Sequence, residues 1–346
     1  MTTIYLIRHA EADGNLYRRA HGWYNSVITD RGYRQIAALA KRLETVRFDA
    51  VYSSDRFRTM TTALSVYKPR GLPLRLTPRL REIDVGLWED QPWAEIERSD
   101  GEQLELFNTD AENWHVDGGE RLTDVRERMC GALREIAGRH PGGTVAVFSH
   151  GMAMRLTVGT LQGLSLREIN GTGHAENTAV TRLEFEDGKF HVVYRDDASH
   201  LSDALRTIEK QAWLKSARGF EGGLCYRPAD AEGRFDVLRG GKVIGAVGVS
   251  SCRGGVAEIG ELWLTESARR RGDGEKLIGQ ALSYARTRGC RRLSRRVAKS
   301  DSAALRCAEK WGFVPVGEDA ESVVFEKNFE YDEESCWRKL QEVIGK

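Results

Sequence analysis

The sequence of 346 residues lacks the features of a membrane-spanning, secreted or nucleic-acid-binding protein. No apolar run approaches the ~18 residues that a membrane-spanning helix needs, and Arg8 interrupts the short apolar run at the start, unlike a signal peptide. The six cysteines form no C-x-x-C pair and have no zinc-ligand spacing, which fits a reducing compartment. The net charge of +1 creates no field that would attract nucleic acid or an anionic membrane. We therefore expect a cytoplasmic protein with neither partner.

Repeats and low-complexity tracts are also missing, and the length predicts two domains at roughly 150 residues each. In the first half, strand patterns alternate with helical ones. Strands are predicted at 3–7, 50–53, 72–76 and 144–148, helices at 30–43, 56–67 and 122–137, and a hairpin at 179–194 around Glu186-Asp187-Gly188. This alternation predicts an α/β domain with a mostly parallel sheet and helices on both faces.

One stretch of the first half, residues 82–119, has no clear period. It contains Trp88, Trp93 and Trp114. We expect it to form an irregular cover over a site and to select the substrate.

The second half predicts a mixed α/β domain in which antiparallel strands come first. Strands are expected at 235–238, 243–249, 256–264, 293–297 and 322–327, and helices at 274–288 and 302–310. The expected domains are residues 1–205 and 223–330. A linker at 206–222 joins them and overlaps a helical pattern at 202–219.

The last residues, 331–346, predict an amphipathic helix. Trp337, Leu340 and Val343 fall on one side of it. We expect this side to pack on the second domain, and a contact in a homodimer is the alternative.

Several polar residues of the first half are expected at one edge of its sheet. Arg8 and His9 end the first strand and His150 follows the strand 144–148, and ligand sites of open α/β sheets lie at this edge. Arg58 lies one turn into the helix after the second strand, and Glu82 starts the covering stretch. Guanidinium groups suit a phosphate dianion, an imidazole can attack phosphorus, and a carboxylic acid can protonate the leaving alkoxide. This chemistry requires no metal.

The motifs that carry these residues resemble the histidine phosphatase superfamily, in its phosphoglycerate-mutase-like branch, over about residues 2–201. They are RHAEADGN, HGWYNSVITDRGYRQI, SSDRFRTMTTA, LREIDVGLWED, FSHGMAMR and RDDASHL. The resemblance implies a three-layer α/β/α domain in which His9 accepts the phosphoryl group and Glu82 is general acid, then general base. The residues that would bind the phosphoryl group are Arg8, Asn15, Arg58 and His150.

The same family also contains mutases, which return the phosphoryl group to a rebound intermediate. Mutases tend to have a longer insertion between the acid and the second histidine. The short stretch here favours a phosphatase that acts on a small phosphorylated metabolite.

A glycine-rich turn follows the strand 256–264 in the second half. Its R-x-x-G-x-G pattern opens a helix, and free amides at a helix start bind phosphate groups well. GELWLTESARRRGDGEKLIGQAL and DSAALRCAEKWGFVPVG resemble the GNAT acetyltransferases, over about residues 225–328. The resemblance implies acetyl-CoA as ligand, with its pantetheine arm beside the strand at Leu262 and Leu264. The turn that would hold the pyrophosphate contains Arg269, Arg271, Gly272, Asp273 and Gly274.

Two positions depart from the GNAT pattern. Ala308 stands where relatives often have a tyrosine that protonates the CoA thiolate, and Asp301 replaces a common asparagine. The region before residue 235 is also short for the two helices that usually shape the acceptor site. Glu258 and Glu261 are candidate bases for an acceptor amine, although ordinary exposed strand residues are the more frequent interpretation.

Three hypotheses follow. The chain is a phosphatase fused to an acetyltransferase, or a phosphatase whose second domain senses CoA or forms a dimer without catalysis, or a non-enzymatic binder of phosphorylated ligands. Turnover of p-nitrophenyl phosphate would exclude the third, and acetyl-CoA titration with an amine-acceptor screen separates the first two.

Overall fold

The computed structural model describes residues 1–110, 112–208 and 223–345. Its two sheets lie in residues 2–197 and 225–328. Each sheet carries its own hydrophobic core. Two α/β units therefore follow each other along the chain, as the sequence predicts.

Six strands form the first sheet: β1 Thr2–Arg8, β2 Ala50–Ser53, β3 Leu74–Leu76, β4 Thr144–Ser149, β5 Val180–Glu186 and β6 Lys189–Asp197. Their order is β3-β2-β4-β1-β5-β6. The pairs β1–β4, β2–β4 and β2–β3 are parallel, whereas β5 pairs antiparallel with β1 and β6. The parallel strands are covered on both faces, which explains their almost continuous apolar runs.

Helices lie on both faces of this sheet. They are α1 Asp13–Leu16, α2 Asp30–Arg42, α3 Phe57–Arg70, α4 Trp93–Ser99, α5 Gly101–Thr109, α6 Leu122–Arg139, α7 Gly151–Leu161 and α8 Leu166–Asn170. Ile4 and Leu6 of β1 pack in the core with α6 and α7, whereas Ile7 faces the core with α2 and α3. The first unit is therefore a three-layer α/β/α domain. The Thr29 hydroxyl caps α2 by accepting a 3.0 Å hydrogen bond from the Gly32 amide.

The second sheet has seven strands in the order β12-β13-β11-β10-β9-β8-β7. Their bounds are β7 Cys225–Pro228, β8 Arg234–Arg239, β9 Lys242–Val249, β10 Val256–Leu264, β11 Arg292–Ala298, β12 Val314–Glu318 and β13 Ser322–Asn328. β10 and β11 form the parallel pair, and the other pairs are antiparallel. Two helices, α9 Asp273–Thr287 and α10 Ser302–Lys310, pack on this sheet.

The two units share a packed contact between α1 and α9. Tyr17, at the end of α1, belongs to the hydrophobic core of the second unit. A Cβ atom added to Gly279 of α9 would lie 2.6 Å from Cβ of Tyr17. Only glycine therefore allows the helices to approach so closely.

The C-terminal helix, α11 Glu333–Ile344, corrects one expectation. It packs on α2 and α3 of the first domain, not on the second domain. Leu340 is fully buried in the core that those helices share, with Trp337 and Val343 packed against it. The apolar side of the helix was predicted correctly, but the hydrophobic period does not show which domain that side packs on.

The covering stretch is also more regular than predicted, since it contains α4 and α5. The helices α7 and α8 and the strands β7 and β12 were not predicted. Residues 202–208 form turns and no helix, and the rest of the predicted linker, 209–222, lies outside the described residues.

The structure pairs two of the cysteines, which was not predicted from the sequence. Cys252 and Cys290 are joined as a disulfide, with Cα atoms 5.7 Å apart. They lie 38 residues apart in the sequence, so no local motif marks them. None of the described helices is long and apolar enough to cross a membrane.

Candidate active site

The carboxyl ends of β1 and β4 meet at one edge of the first sheet and bring two histidines together. Arg8 pairs in register with Ser149, so the following residues, His9 and His150, lie side by side. Their ring centroids are 5.3 Å apart, and both side chains are buried. The strand positions had predicted this shared crevice.

His9 has one ring nitrogen left for chemistry. Its Nδ1 lies 2.7 Å from the carbonyl oxygen of Ala10, and because a carbonyl oxygen only accepts, Nδ1 carries the proton. Nε2 then holds the lone pair. Burial and the charges of Arg58 and Arg8 hold the pKa of His9 well below its usual range. The ring is therefore neutral at pH 7 and Nε2 can act as a nucleophile.

The hydrogen bonds of His150 fix its tautomer in the opposite sense. Nε of Arg58 donates to Nδ1 of His150 over 3.0 Å, so Nε2 carries the proton and donates to the Ser54 hydroxyl over 2.9 Å. Burial, followed by the charge of Arg58, holds the pKa of His150 well below its usual range. His150 is thus a neutral donor whose orientation is set from both sides.

Three carbonyl oxygens hold the rest of the Arg58 guanidinium. Nη1 donates to the carbonyl of Tyr24 over 3.1 Å, and Nη2 donates to those of Gly22 and His21 over 2.7 and 3.3 Å. The side chain is fully buried, and burial lowers its pKa to about 10, so it is charged at neutral pH. Its position is fixed before a substrate binds, which is the preorganisation that electrostatic catalysis needs.

Arg8 supplies the second guanidinium. It donates to the carbonyl of Ala175, and its buried Nε has no hydrogen-bond partner among the described residues. Gly151 leaves room for it, since a Cβ atom added there would lie 3.2 Å from Nε of Arg8. A buried donor without a partner next to His9 is suited to a charged phosphoryl oxygen.

The Glu82 carboxylate binds the N-terminus of α7. Its Oε2 accepts from the Met152 amide over 3.0 Å, and its Oε1 accepts from the amides of Ala153 and Ile83 over 2.8 and 3.1 Å. The positive end of the helix dipole favours a carboxylate here. Because α7 begins directly after His150, this cap links the predicted acid to the second histidine.

A cavity of about 170 Å³ lies at this site, and its lining residues do not include the fully buried Arg58 and His150. Arg8, His9, Asn15 and Glu82 all line it. The side-chain oxygen of Asn15 accepts from the Ala12 amide over 3.1 Å, which leaves the side-chain NH₂ as a donor. The first-domain residues that the sequence selected are therefore grouped in one place.

The covering helices α4 and α5 form the apolar wall of the cavity. Trp93, Leu104 and Phe107 line it. Trp88 and Trp114 do not, because they are buried in the core, where both rings pack against Phe107. Of the three tryptophans expected to select the substrate, only Trp93 is placed to do so.

The turn before α9 has the geometry of a phosphate cradle. Gly272 adopts a left-handed conformation, with φ of 80°, and no side chain of the described residues caps the helix. The first amides of a helix have no partner within it. The carboxylate of Asp273 is buried and paired with Arg239 and Lys276, so its negative charge is compensated within the protein.

The strands β10 and β11 separate beside this turn. They pair only from Val256 to Glu258 on β10, although β10 continues to Leu264. Beyond the paired stretch, both strands have backbone groups available for an extended ligand. The predicted position of the pantetheine arm, along Leu262 to Leu264, lies on the part of β10 that pairs with β9 but not with β11.

The two departures from the GNAT pattern have structural explanations. Ala308 is fully buried in the core between α10 and the sheet, where it holds no proton for a thiolate. Asp301 caps α10 by accepting from the Ala304 amide over 2.9 Å. Of the candidate bases, Glu261 is held by Arg234 in an ion pair of 2.8 Å, and Glu258 is exposed on the strand.

Comparison with known proteins identifies the family of each domain. The sequence profile of the histidine phosphatase superfamily (branch 1) matches residues 4–198, more than half of the chain. The chain belongs to the histidine phosphatase superfamily. The profile of the GNAT acetyltransferase family matches residues 201–313, so a GNAT domain follows the phosphatase domain.

Two curated relatives align with the phosphatase domain over all, or nearly all, of their own length. The chain is 34% identical over 217 residues to a probable phosphoglycerate mutase GpmB of Cronobacter sakazakii, covering 61% of this chain and all of that protein. It is 29% identical over 203 residues to phosphoserine phosphatase 1 of Hydrogenobacter thermophilus, covering 59% of this chain and 96% of that protein.

Solved structures show the same domain. YhfR of Bacillus stearothermophilus superposes with a TM-score of 0.57 at 34% identity, covering 58% of this chain and all of that one. A mycobacterial glucosyl-3-phosphoglycerate phosphatase, in complex with VO₃, gives 0.53 at 25% identity, covering 57% of this chain and 99% of that one.

Several residues around the phosphatase site escaped sequence reasoning. His21, Tyr24 and Ser54 contact the selected arginine and histidines, through backbone oxygens or side chains that no spacing rule identifies. The motif HGWYN, in which His21 and Tyr24 occur, was the available signal, although it assigned them no role. The described residues contain no cluster of three or more histidine, cysteine or carboxylate side chains placed to hold a metal ion.

Proposed function

We propose that the first domain is a phosphomonoesterase that transfers the phosphoryl group of a small phosphorylated metabolite to Nε2 of His9 and then to water. The observation that supports this most strongly is the arrangement of His9 itself. Its Nδ1 proton is bound to Ala10, its ring is neutral, and the charges of Arg58 and Arg8 act on it. The cavity of about 170 Å³ suits a small ester better than a phosphoprotein.

The reaction has two displacements. Nε2 of His9 attacks phosphorus, the P–O bond to the alcohol breaks, and Glu82 in its acid form gives its proton to the leaving oxygen. In the second step Glu82, now a carboxylate, takes a proton from water, whose oxygen attacks the phosphohistidine and releases inorganic phosphate. Arg8, Arg58 and His150 stabilise the three equatorial oxygens throughout, with Asn15 assisting.

The test is a panel of phosphorylated metabolites assayed with the wild type and with His9→Ala. We expect turnover of at least one small ester, near-complete loss in the variant, and ³²P from labelled substrate trapped on His9. Hydrolysis that survives in His9→Ala, or label on another residue, would refute the proposal.

The similarity to a protein described as a probable phosphoglycerate mutase supports a second candidate. A mutase must keep its organic product bound while the phosphoryl group is on histidine. Phosphoglycerate offered to the enzyme would then give an isomer and little inorganic phosphate, whereas a phosphatase gives the reverse. The product ratio decides between them.

For the second domain we propose acetyl-CoA as the ligand. The pyrophosphate would bind the amides from Arg271 to Gly274, close to the positive charge of Arg269, and the pantetheine arm would lie along β10. Isothermal titration with acetyl-CoA tests binding, and an amine-acceptor screen tests transfer. The buried Ala308 and the ion-paired Glu261 favour a domain that binds acetyl-CoA without transferring the acetyl group.

A further inference from the structure

The GNAT domain contacts the phosphatase domain at residues 13–24, the segment whose carbonyl oxygens hold Arg58. Helix α9 lies against α1 and the residues that follow it. Besides the close approach of Gly279 to Tyr17, Oε1 of Gln280 accepts from Nη1 of Arg19 over 3.1 Å. Residues 13–24 are thus bound on one side by their own domain and on the other by α9.

Arg286, in the last turn of α9, makes the most direct contact with this segment. Its Nη1 donates to the carboxylate of Asp90, which also accepts from Nε of Arg19 over 2.7 Å. Its Cζ lies 4.8 Å from the centroid of the Tyr24 ring. The carboxylate is only 12% exposed, so two arginines from two domains share one nearly buried acid. Removing one member of such a group is costly.

Two connections lead from Tyr24 to the catalytic groups. The carbonyl oxygen of Tyr24 accepts from Nη1 of Arg58 over 3.1 Å. The Tyr24 ring also packs on the His21 ring, with centroids 4.7 Å apart, and the His21 ring lies 5.9 Å from that of His9. Gly14 makes room for these stacked rings, because a Cβ atom at this position would lie 2.4 Å from Oη of Tyr24.

We propose that Arg286 of the GNAT domain is a positioning residue of the phosphatase site, which fixes Tyr24 and, through it, Arg58 and His9. The inference rests on the proposed function only in naming the reaction, because the contacts are geometric. Its consequence is that the phosphatase domain depends on the second domain for the placement of its phosphate-binding groups. A cation over an aromatic ring restricts that ring while remaining partly solvated.

The test compares three variants of the full-length chain with the wild type. Arg286→Ala removes the contact with both Tyr24 and Asp90, and Arg286→Lys keeps the charge but loses the planar group. Arg288→Ala is the matched control: it also removes an arginine stacked on a tyrosine at the end of α9, with Cζ 3.6 Å from the Tyr284 ring centroid. That arginine pairs with Glu232 of the second domain.

The measurements are kcat, KM, the thermal midpoint, and the affinity for orthovanadate by isothermal titration. We expect Arg286→Ala to lower kcat/KM and orthovanadate affinity on the order of 10- to 100-fold, the scale of a misplacement near 1 Å. Arg288→Ala should stay within about twofold of the wild type, the change expected without any displacement of the site. Arg286→Lys should recover part of the loss, since it keeps the ion pair with Asp90.

Two results would overturn the inference. One is wild-type orthovanadate affinity and kcat/KM in Arg286→Ala. The other is an equal loss in the Arg286 and Arg288 variants that follows their thermal midpoints, which would indicate general destabilisation. Because orthovanadate binding needs no turnover, a wild type that hydrolyses no ester would refute the proposed function while the comparison of affinities still decides the role of Arg286.

Discussion

Lowering the pH from 7.0 to 5.5 should destabilise the protein, because three histidines around the phosphatase site must stay neutral in the folded state. Burial, followed by the charge of Arg58, holds the pKa values of His9, His21 and His150 well below their usual range. In the unfolded chain the same rings take up protons near pH 6.5. Below that pH the unfolded state binds more protons, so stability that is fully present above pH 6.5 is lost as the pH falls towards the lowered folded-state pKa.

The expected size follows from the linkage relation. A ring that stays neutral when folded and titrates near pH 6.5 when unfolded costs slightly more than about 1 kcal/mol between pH 7.0 and 5.5. The three rings together cost roughly 4 kcal/mol, a large part of the 5–15 kcal/mol by which domains are typically stable. His9→Asn removes one of them. Asparagine suits this position because its NH₂ can replace the Nδ1 proton in the bond to Ala10.

The assay is urea unfolding of both proteins at several pH values, followed by tryptophan fluorescence. His140, His174 and His200 also have lowered pKa values and add to the total loss in both proteins. The comparison therefore uses the difference between the two proteins in the stability lost on acidification, and His9→Asn should lose about 1 kcal/mol less than the wild type. If both proteins lose the same amount, His9 is not held neutral, and the argument for its nucleophilicity is wrong.

Two substitutions test the other groups of the site. Glu82→Gln should lower kcat by about 10² to 10⁴, the usual contribution of a general acid. A kcat that stays near the wild-type value in this variant would assign the acid elsewhere. Arg58→Lys should reduce kcat/KM by more than about 100-fold, because an ammonium cannot bond three carbonyl oxygens and His150 as a planar guanidinium does. Recovery of activity in that variant would show that charge alone suffices.

The sequence predicts the layers of this protein well because they depend on local periods. The strand 50–53 and the strand 256–264 were predicted with the bounds that β2 and β10 have. His9 and His150 could be placed together because parallel neighbouring strands end at one edge. A residue that comes directly after a strand lies where that strand ends, so the strand prediction also gives the approximate position of the side chain.

The features that were missed depend on contacts between distant segments. The carbonyl oxygens that hold Arg58 have no signature in residue type, since every residue has one. Trp88 and Trp114 were expected at the cavity. Tryptophan is suited both to a hydrophobic core and to the wall of a binding cavity, and the sequence does not distinguish the two positions. The disulfide of Cys252 with Cys290 and the contact of Arg286 with Asp90 join residues that only the folded chain brings together.

The return of α11 to the first domain has a consequence for how the protein can be divided. Leu340 is buried among α2 and α3, Tyr331 stacks on Phe57, and Lys68 pairs with Glu333. A nick by a protease between the domains would therefore leave two fragments that remain associated under native conditions. A truncated version ending at residue 205 would expose the apolar groove that Leu340 fills. An expression trial of the phosphatase half should accordingly supply residues 331–346 as a separate peptide.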